Sequence, residues 1–396
     1  IGEDINFPPF RTPQPHEFDN IAPRTGFAYQ LNDRTVLRGG WGIYFIGYTD
    51  QPAHHSRIDL ITIAPTVFND GRPDFASNPY NGQTLSFDQA LQLAGRRSTT
   101  GTIASPTLDT QYAYQTSFGV QRQIGDTMSF QADYVLSQNR HELQVRNINL
   151  VFNPATGTNY PFNQVRVYND WNIVGMRFSD GASDSHQLQT ALTRRMSNNF
   201  QVSATYTLTN FYYQNVLPLN AGCQYPMSAA TPTSTPSCDT PITLAPDFPQ
   251  GEWYLSGAQR HRAVVSGIWQ LPMNFQLSGT YFAGSGIQQT STPGSDVRLT
   301  GSAGNPGRLT RDGLLIQRND IDVPALHRVD MRLLKRVRLG NFGNLEGMLE
   351  VFNLFNHANF ASLNSNLASP TYRQPVRDSN LSYAPRMVQL GFRLMF

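Results

Sequence analysis

The sequence predicts an all-β fold: an antiparallel up-and-down transmembrane β-barrel of about eleven meandering strands, forming an incomplete or distorted barrel wall. Three observations predict it. Apolar and polar residues alternate with period 2 in stretch after stretch, so that each strand has one greasy and one wet face. The connections between these stretches are alternately short and long, five of each. The composition is rich in turn and strand formers, with 31 Gly, 26 Pro, 11% aromatic and only 15% charged residues.

Residues 1–23 are polar and punctuated by proline, and read as loop. The first hairpin places strands near 24–31 and 35–45, with Phe27, Tyr29 and Leu31, then Leu37, Trp41, Ile43 and Phe45, on the apolar face. A long irregular stretch follows, in which Ser86 and Gln89 stand at capping-box spacing ahead of a short helix ending at Ala94. The second hairpin is expected at 111–123 and 128–137, turning at Gly125-Asp126. The third is expected at 186–196 and 200–209, turning at Ser197-Asn198-Asn199. The fourth, at 261–271 and 275–282, turns at Pro272-Met273-Asn274. The fifth, at 327–338 and 345–354, turns between Gly340 and Asn344. The closing strand, 386–396, carries Val388, Leu390, Phe392, Leu394 and Phe396 on one side and Gln389, Gly391 and Arg393 on the other.

By itself this last strand suits the edge of a soluble β-sandwich as well as a barrel. Loop lengths decide between them. Sandwich connections run to about 2–6 residues at both ends, and structureless connections beyond about 15 are uncommon. Bacterial outer-membrane barrels have short periplasmic turns and long extracellular loops, which is the asymmetry found here. No stretch approaches the ~18 uncharged apolar residues that a membrane-crossing helix needs. That does not argue against spanning, because only every second residue of a barrel strand meets lipid.

With Phe396 at the periplasmic side, the first strand starts outside and runs inward. Single-chain bacterial barrels have even strand numbers with both ends periplasmic, so an odd number of strands is expected upstream of Ile1. The chain therefore reads as the C-terminal portion of a larger barrel, since unpaired strand edges cannot be satisfied by lipid.

Net charge is +2 and Lys335 is the sole lysine, so nothing suggests a nucleic-acid groove. Cys223 and Cys238 lie in a Pro/Ser/Thr-rich stretch; in an exported protein they are expected to form a loop disulfide, two unpaired thiols being the alternative. Trp41, Tyr112, Tyr114, Trp269, Phe275 and Phe396 are expected near strand ends on the apolar face, as membrane-interface girdles. Trp171, Tyr212, Tyr213, Trp253 and Tyr254 are loop aromatics, suited to touching a ligand or to packing the loops together.

Asp133, Asp330, Glu346 and Glu350 fall on wet faces near Arg328 and Arg332, as crossed charge ladders of a barrel wall rather than a catalytic acid and base. His54-His55 with Asp59 read as solvated loop residues, because adjacent histidines on an extended chain point to opposite sides. No serine-hydrolase elbow, phosphate loop or zinc-protease motif occurs, and no metal or cofactor is expected. Gly39-Gly40-Trp41-Gly42 is followed by no helix pattern, so close strand packing explains its glycines better than phosphate binding.

Three stretches carry a family likeness. Gly347–Phe360, with Asn353-Leu354-Phe355-Asn356, resembles the penultimate strand of TonB-dependent outer-membrane receptors, especially the Oar-like branch with a carboxypeptidase-regulatory-like domain. Residues 20–45 and His327–Arg336 are similar to barrel segments of the same branch. The terminal Phe396, with Val388, Leu390, Phe392 and Leu394, resembles the C-terminal signal read by the barrel-assembly machinery. The resemblance implies a Gram-negative-type outer membrane, lipid around the wall, an unknown solute and a 22-stranded ring. It implies TonB only through a plug domain, which these residues do not contain. A passive porin or adhesin-like barrel is the other reading, and an outer-membrane hydrolase a third.

Overall fold

The computed structural model describes residues 20–46, 63, 67–82, 84–96, 103–104, 108–153, 156, 158–214, 253–297, 299, 301, 316–375 and 382–396. Eleven strands follow one another in a single antiparallel meander, with neighbours in sequence also neighbours in the sheet. They are β1 (Arg24–Asn32), β2 (Thr35–Ile46), β3 (Gln111–Ile124), β4 (Met128–Asn147), β5 (Gly175–Ser197) and β6 (Phe200–Gln214), then β7 (His261–Leu271), β8 (Phe275–Gly284), β9 (Leu326–Arg338), β10 (Asn344–Phe352) and β11 (Met387–Met395). Up-and-down order puts the five short turns on one rim and the five long connections on the other. Among the described residues β1 and β11 each pair on one side only, so the sheet is not closed.

Pairing register extends the two-faced pattern of each strand across the whole wall. Directly opposed residues share a face, and from β1 to β7 one row reads Phe27, Gly39, Phe118, Tyr134, Leu188, Leu208, His261. The adjacent row reads Ala28, Arg38, Gly119, Asp133, Gln189, Thr207, Arg262. The apolar face continues through Val265, Tyr281 and Val329, then Met331, Val351 and Val388. A slip of one residue in any strand would exchange its faces, so every register here serves the same division.

That apolar face is uncovered. Phe27, Trp41, Phe118, Trp269, Leu349 and Phe392 all belong to it and are exposed, Phe392 by 76%. A sandwich would bury one face beneath a second sheet. Instead the buried apolar residues lie almost entirely at the long-connection end, where Ile148, Trp171, Val174 and Met176 form a small core with Tyr168 and Phe178 against it.

The turns close as their residues dictate. Asn198 and Asn199 both take the left-handed conformation that a tight hairpin asks for, and asparagine adopts it at low cost. At Gly39 the opposed Phe27 ring lies across the backbone, and a side chain there would overlap it, in keeping with close packing as the reason for that glycine. The short helix α1 (Phe87–Ala94) starts with a capping box in which Ser86 and Gln89 cap each other's backbone.

Three strands run further than alternation indicates. β4 and β5 extend to Asn147 and back from Gly175, and β6 to Gln214, so the stretch 138–185 is not one long loop. The added rungs mix apolar residues, such as Val145, Met176 and Phe178, with polar ones and show no clean division between an oily and a wet face; ladder hydrogen bonds sustain them. A bulge around His141, whose φ is 56°, also breaks the alternation there. At the other end β10 stops at Phe352 rather than 354, where Asn353 turns the chain at φ 50°.

Candidate functional site

The polar face is built from short side chains and paired charges. Ser203, Ser266, Thr280 and Asp330 oppose one another across β6 to β9; the next row is Gln201, Ile268, Ser278, Arg332 and Glu350. Because β7 and β8 offer nothing longer than isoleucine here, a recess of ≈ 280 Å³ opens between these rows, with Asp330, Arg332 and Glu350 along one side. Hydroxyls, a carboxamide and both signs of charge line a surface able to hold a polar solute by hydrogen bonds.

Each of the four carboxylates expected on the wet faces has a guanidinium. Asp133 takes both prongs of Arg38, at 3.0 and 2.8 Å. Asp330 pairs with Arg328 at 2.7 Å and Glu350 with Arg332 at 3.5 Å. Glu346, 3% exposed, lies between Arg336 and Arg393, which oppose it on either side; Arg336 Nε donates to it at 2.9 Å and Arg393 comes within 3.8 Å. This is a charge ladder, in which each carboxylate is matched by a guanidinium on its own or a nearby strand.

Above the wall, two of the long connections are knitted together among their described residues. Ser291, 1% exposed, donates its amide at 2.7 Å and its hydroxyl at 2.5 Å to the Asp320 carboxylate and meets the Tyr372 hydroxyl at 2.6 Å. Arg373 Nη2 donates to the Asp320 carbonyl at 2.8 Å. The β8–β9 and β10–β11 connections are thereby clamped to each other. Burial opposes ionisation of Asp320, but the Ser291 hydroxyl and amide, its own amide and the Arg373 charge together hold its carboxyl below the usual range.

Trp171 is buried, 4% exposed, in the loop core, so it packs loops together. Tyr212 and Tyr213 belong to β6, and Trp253 and Tyr254 to a short strand, Trp253–Leu255, paired with its end; they are strand residues rather than loop ones. Of the expected girdle, Trp269 and Phe275 stand on the apolar face by the short-turn rim, with Phe396 just beyond β11 at that rim. Tyr112 and Tyr114 stand on the apolar face toward the other rim and touch edge to face at 5.3 Å. Trp41 is on that face but at mid-strand, opposite Thr25 and Thr116, not near an end as its sequence position suggests. The apolar residues of the closing strand, Val388, Leu390, Phe392 and Leu394, are all exposed on it. Cys223, Cys238, His54, His55 and Asp59 lie outside the described residues.

Sequence reasoning missed a repeated pair. Tyr134 meets His186, Tyr206 meets His261 and Tyr281 meets His327, each hydroxyl to Nδ1, at 2.7, 2.9 and 3.0 Å. The signal was present: each of those histidines stands at the head of an expected strand (186–196, 261–271, 327–338), on its apolar parity.

A family model described as "Outer membrane beta barrel domain" matches residues 8–314 and 300–389. The chain belongs to that family. Its uncovered apolar rows are accordingly the lipid-facing surface of an outer-membrane wall, and its alternate rows face the lumen. Similar solved structures include the outer membrane transporter YddB from Escherichia coli, 12% identical with TM-score 0.48, the match covering 94% of this chain and 40% of that one. The FrpB iron transporter from Neisseria meningitidis is 12% identical with TM-score 0.45, over 94% and 39%. The ferripyoverdine receptor of Pseudomonas aeruginosa is 10% identical with TM-score 0.47, over 94% and 32%. The chain thus spans two fifths or less of these structures. No curated protein matches it.

Proposed function

We propose that this wall and its outer loops form part of a TonB-dependent outer-membrane receptor that captures and imports a scarce solute. The observation that carries the reading is the organisation of the outer side. Three long connections are held in place among their described residues: one folds around Trp171, Val174 and Met176, and two others are clamped through Asp320, Ser291, Tyr372 and Arg373. An ordered outer surface above a polar recess suits capture followed by descent along the wall. The resemblance of Gly347–Phe360 to the penultimate strand of such receptors supports the same reading. So do the open edges of β1 and β11, which need further strands for a ring that lipid can surround.

The test uses cells producing the full-length protein. Uptake of labelled ferric chelates, oligosaccharides and peptides is measured with and without a protonophore and in a TonB deletion, and the purified protein is examined in planar bilayers. Energy-dependent uptake of at least one probe, with no standing conductance, is the expected result. Uptake indifferent to both treatments, together with a steady open conductance, would overturn it in favour of a passive porin.

A further inference from the structure

The three Tyr–His pairs occupy equivalent places. Each joins the strands flanking a long connection, on the lipid-facing side, and in each the histidine stands opposite the residue two beyond the tyrosine toward the outer rim: His186 opposite Leu136, His261 opposite Leu208 and His327 opposite Ala283. They mark the level where the wall leaves oil for the headgroups of the outer leaflet, where a ring with one polar end is favoured.

The third pair opens onto a built cavity. Asn359, wholly inaccessible, accepts from the His327 amide at 2.7 Å and donates to the carbonyls of His327 and His357 at 2.9 and 3.2 Å. Asn353, 2% exposed, accepts from the His357 amide at 3.0 Å and donates to the His357 and Ala384 carbonyls. Two buried carboxamides thus pin the chain after β10 against the start of β9. They set the His357 ring edge-on to His327, with centroids 5.7 Å apart. The resulting cavity of ≈ 490 Å³ is lined by Tyr281, His327, Arg328, Val329, Phe355 and His357, with Asn353, and no carboxylate is among the described residues that line it. Phe355 stands out from it, 74% exposed. Arg386, exposed at the head of β11, is tied beside it through Asn356 and the Leu354 carbonyl.

We propose that this cavity holds the headgroup of a phosphorylated outer-leaflet lipid. In the tautomer whose Nδ1 accepts from the Tyr281 hydroxyl, His327 carries its proton on Nε2, where it can be offered to an acceptor. His357 supplies a second imidazole, and Arg386 a permanent positive charge suited to phosphate. Acyl chains continue down Val329, Met331, Val351 and Val388, on the same face. Continuity with the lipid-facing rows, and the excess of donors over acceptors, favour an anionic lipid over a soluble anion.

The test is intact-protein mass spectrometry of the delipidated full-length protein in detergent, with three probes added separately: bis-phosphorylated lipid A, its dephosphorylated form and inorganic phosphate. One bound lipid A is expected, falling about tenfold in occupancy in H327Q/H357Q and several-fold in R386Q, with H186Q unchanged. Heat-modifiability on gels verifies that each variant is a folded barrel; should the double variant fail, the single H357Q, whose ring takes no part in a Tyr–His pair, is read instead. Equal retention by the variants, equal retention of dephosphorylated lipid A, or binding of inorganic phosphate as tight as that of lipid A would overturn the proposal. Solute uptake plays no part in this readout, so its failure is separate from failure of the transport reading.

Discussion

Arg38 on β2 and Asp133 on β4 form a two-pronged ion pair across a strand that belongs to neither. The residue between them in the row is Gly119 of β3, and a side chain at that position would overlap the Asp133 carboxylate. The glycine is the opening through which the two charges meet.

Gly119→Val should therefore push Asp133 aside and destabilise the wall by about 1–3 kcal/mol, as overpacking does. Urea unfolding of the full-length protein in lipid vesicles measures it. Asp133→Asn, which keeps the shape, is expected to cost less, because the pair is partly open to water and screened there.

Two substitutions three residues apart in β11 should behave oppositely. Phe392→Arg places a charge on the lipid-facing side and is expected to cost about 2–4 kcal/mol near the bilayer midplane, less toward an interface. Gln389→Arg, on the lumen side, should be close to neutral. Folding yield into vesicles of defined thickness separates them, and equal effects would contradict the division of faces.

The clamp between outer connections should be lost in acid. The Asp320 carboxyl lies below its ordinary range in the folded protein, so its contribution is fully present above the ordinary carboxylate pKa of about 3.9 and disappears as the pH falls through the lower folded value. Hydrogen exchange at the Ser291 amide should quicken over that interval. Asp320→Asn should exchange quickly even at neutral pH.

Asn359→Ala removes the partner of a buried His327 amide and is expected to cost about 1–3 kcal/mol locally. Faster exchange at His327 and His357, with the far side of the wall unchanged, is the expected pattern. Asn359→Asp should rescue the amide bond but not the two carbonyl bonds.

The wall was legible in the sequence because its physics is local. Leu37, Trp41 and Ile43 take the same face whatever their partners, and the brief turns at Asn198-Asn199 and Met273-Asn274 mark where strands reverse. What lay beyond the apolar band was not legible. The outer rungs of β4 and β5 have no oil on either side, so their residues carry no alternation to read. The Asp320 clamp joins residues 29 and 52 positions away, and nothing local marks Ser291 or Tyr372 as its partners. The Tyr–His pairs fell between these cases: each histidine sat in view at the head of a strand, but on an apolar parity where a polar ring gains meaning only from its neighbour across the ladder.

Interleaving gives each strand two independent messages. Odd and even positions of β7 or β8 answer to different solvents, so the lumen-facing text can be rewritten at Ser266 or Thr280 while Val265 and Tyr281, one step along, remain fixed by the bilayer. A lineage of such proteins can change the chemistry of its lumen by single substitutions. A lone inserted residue in mid-strand is another matter, since it garbles both messages from that point on.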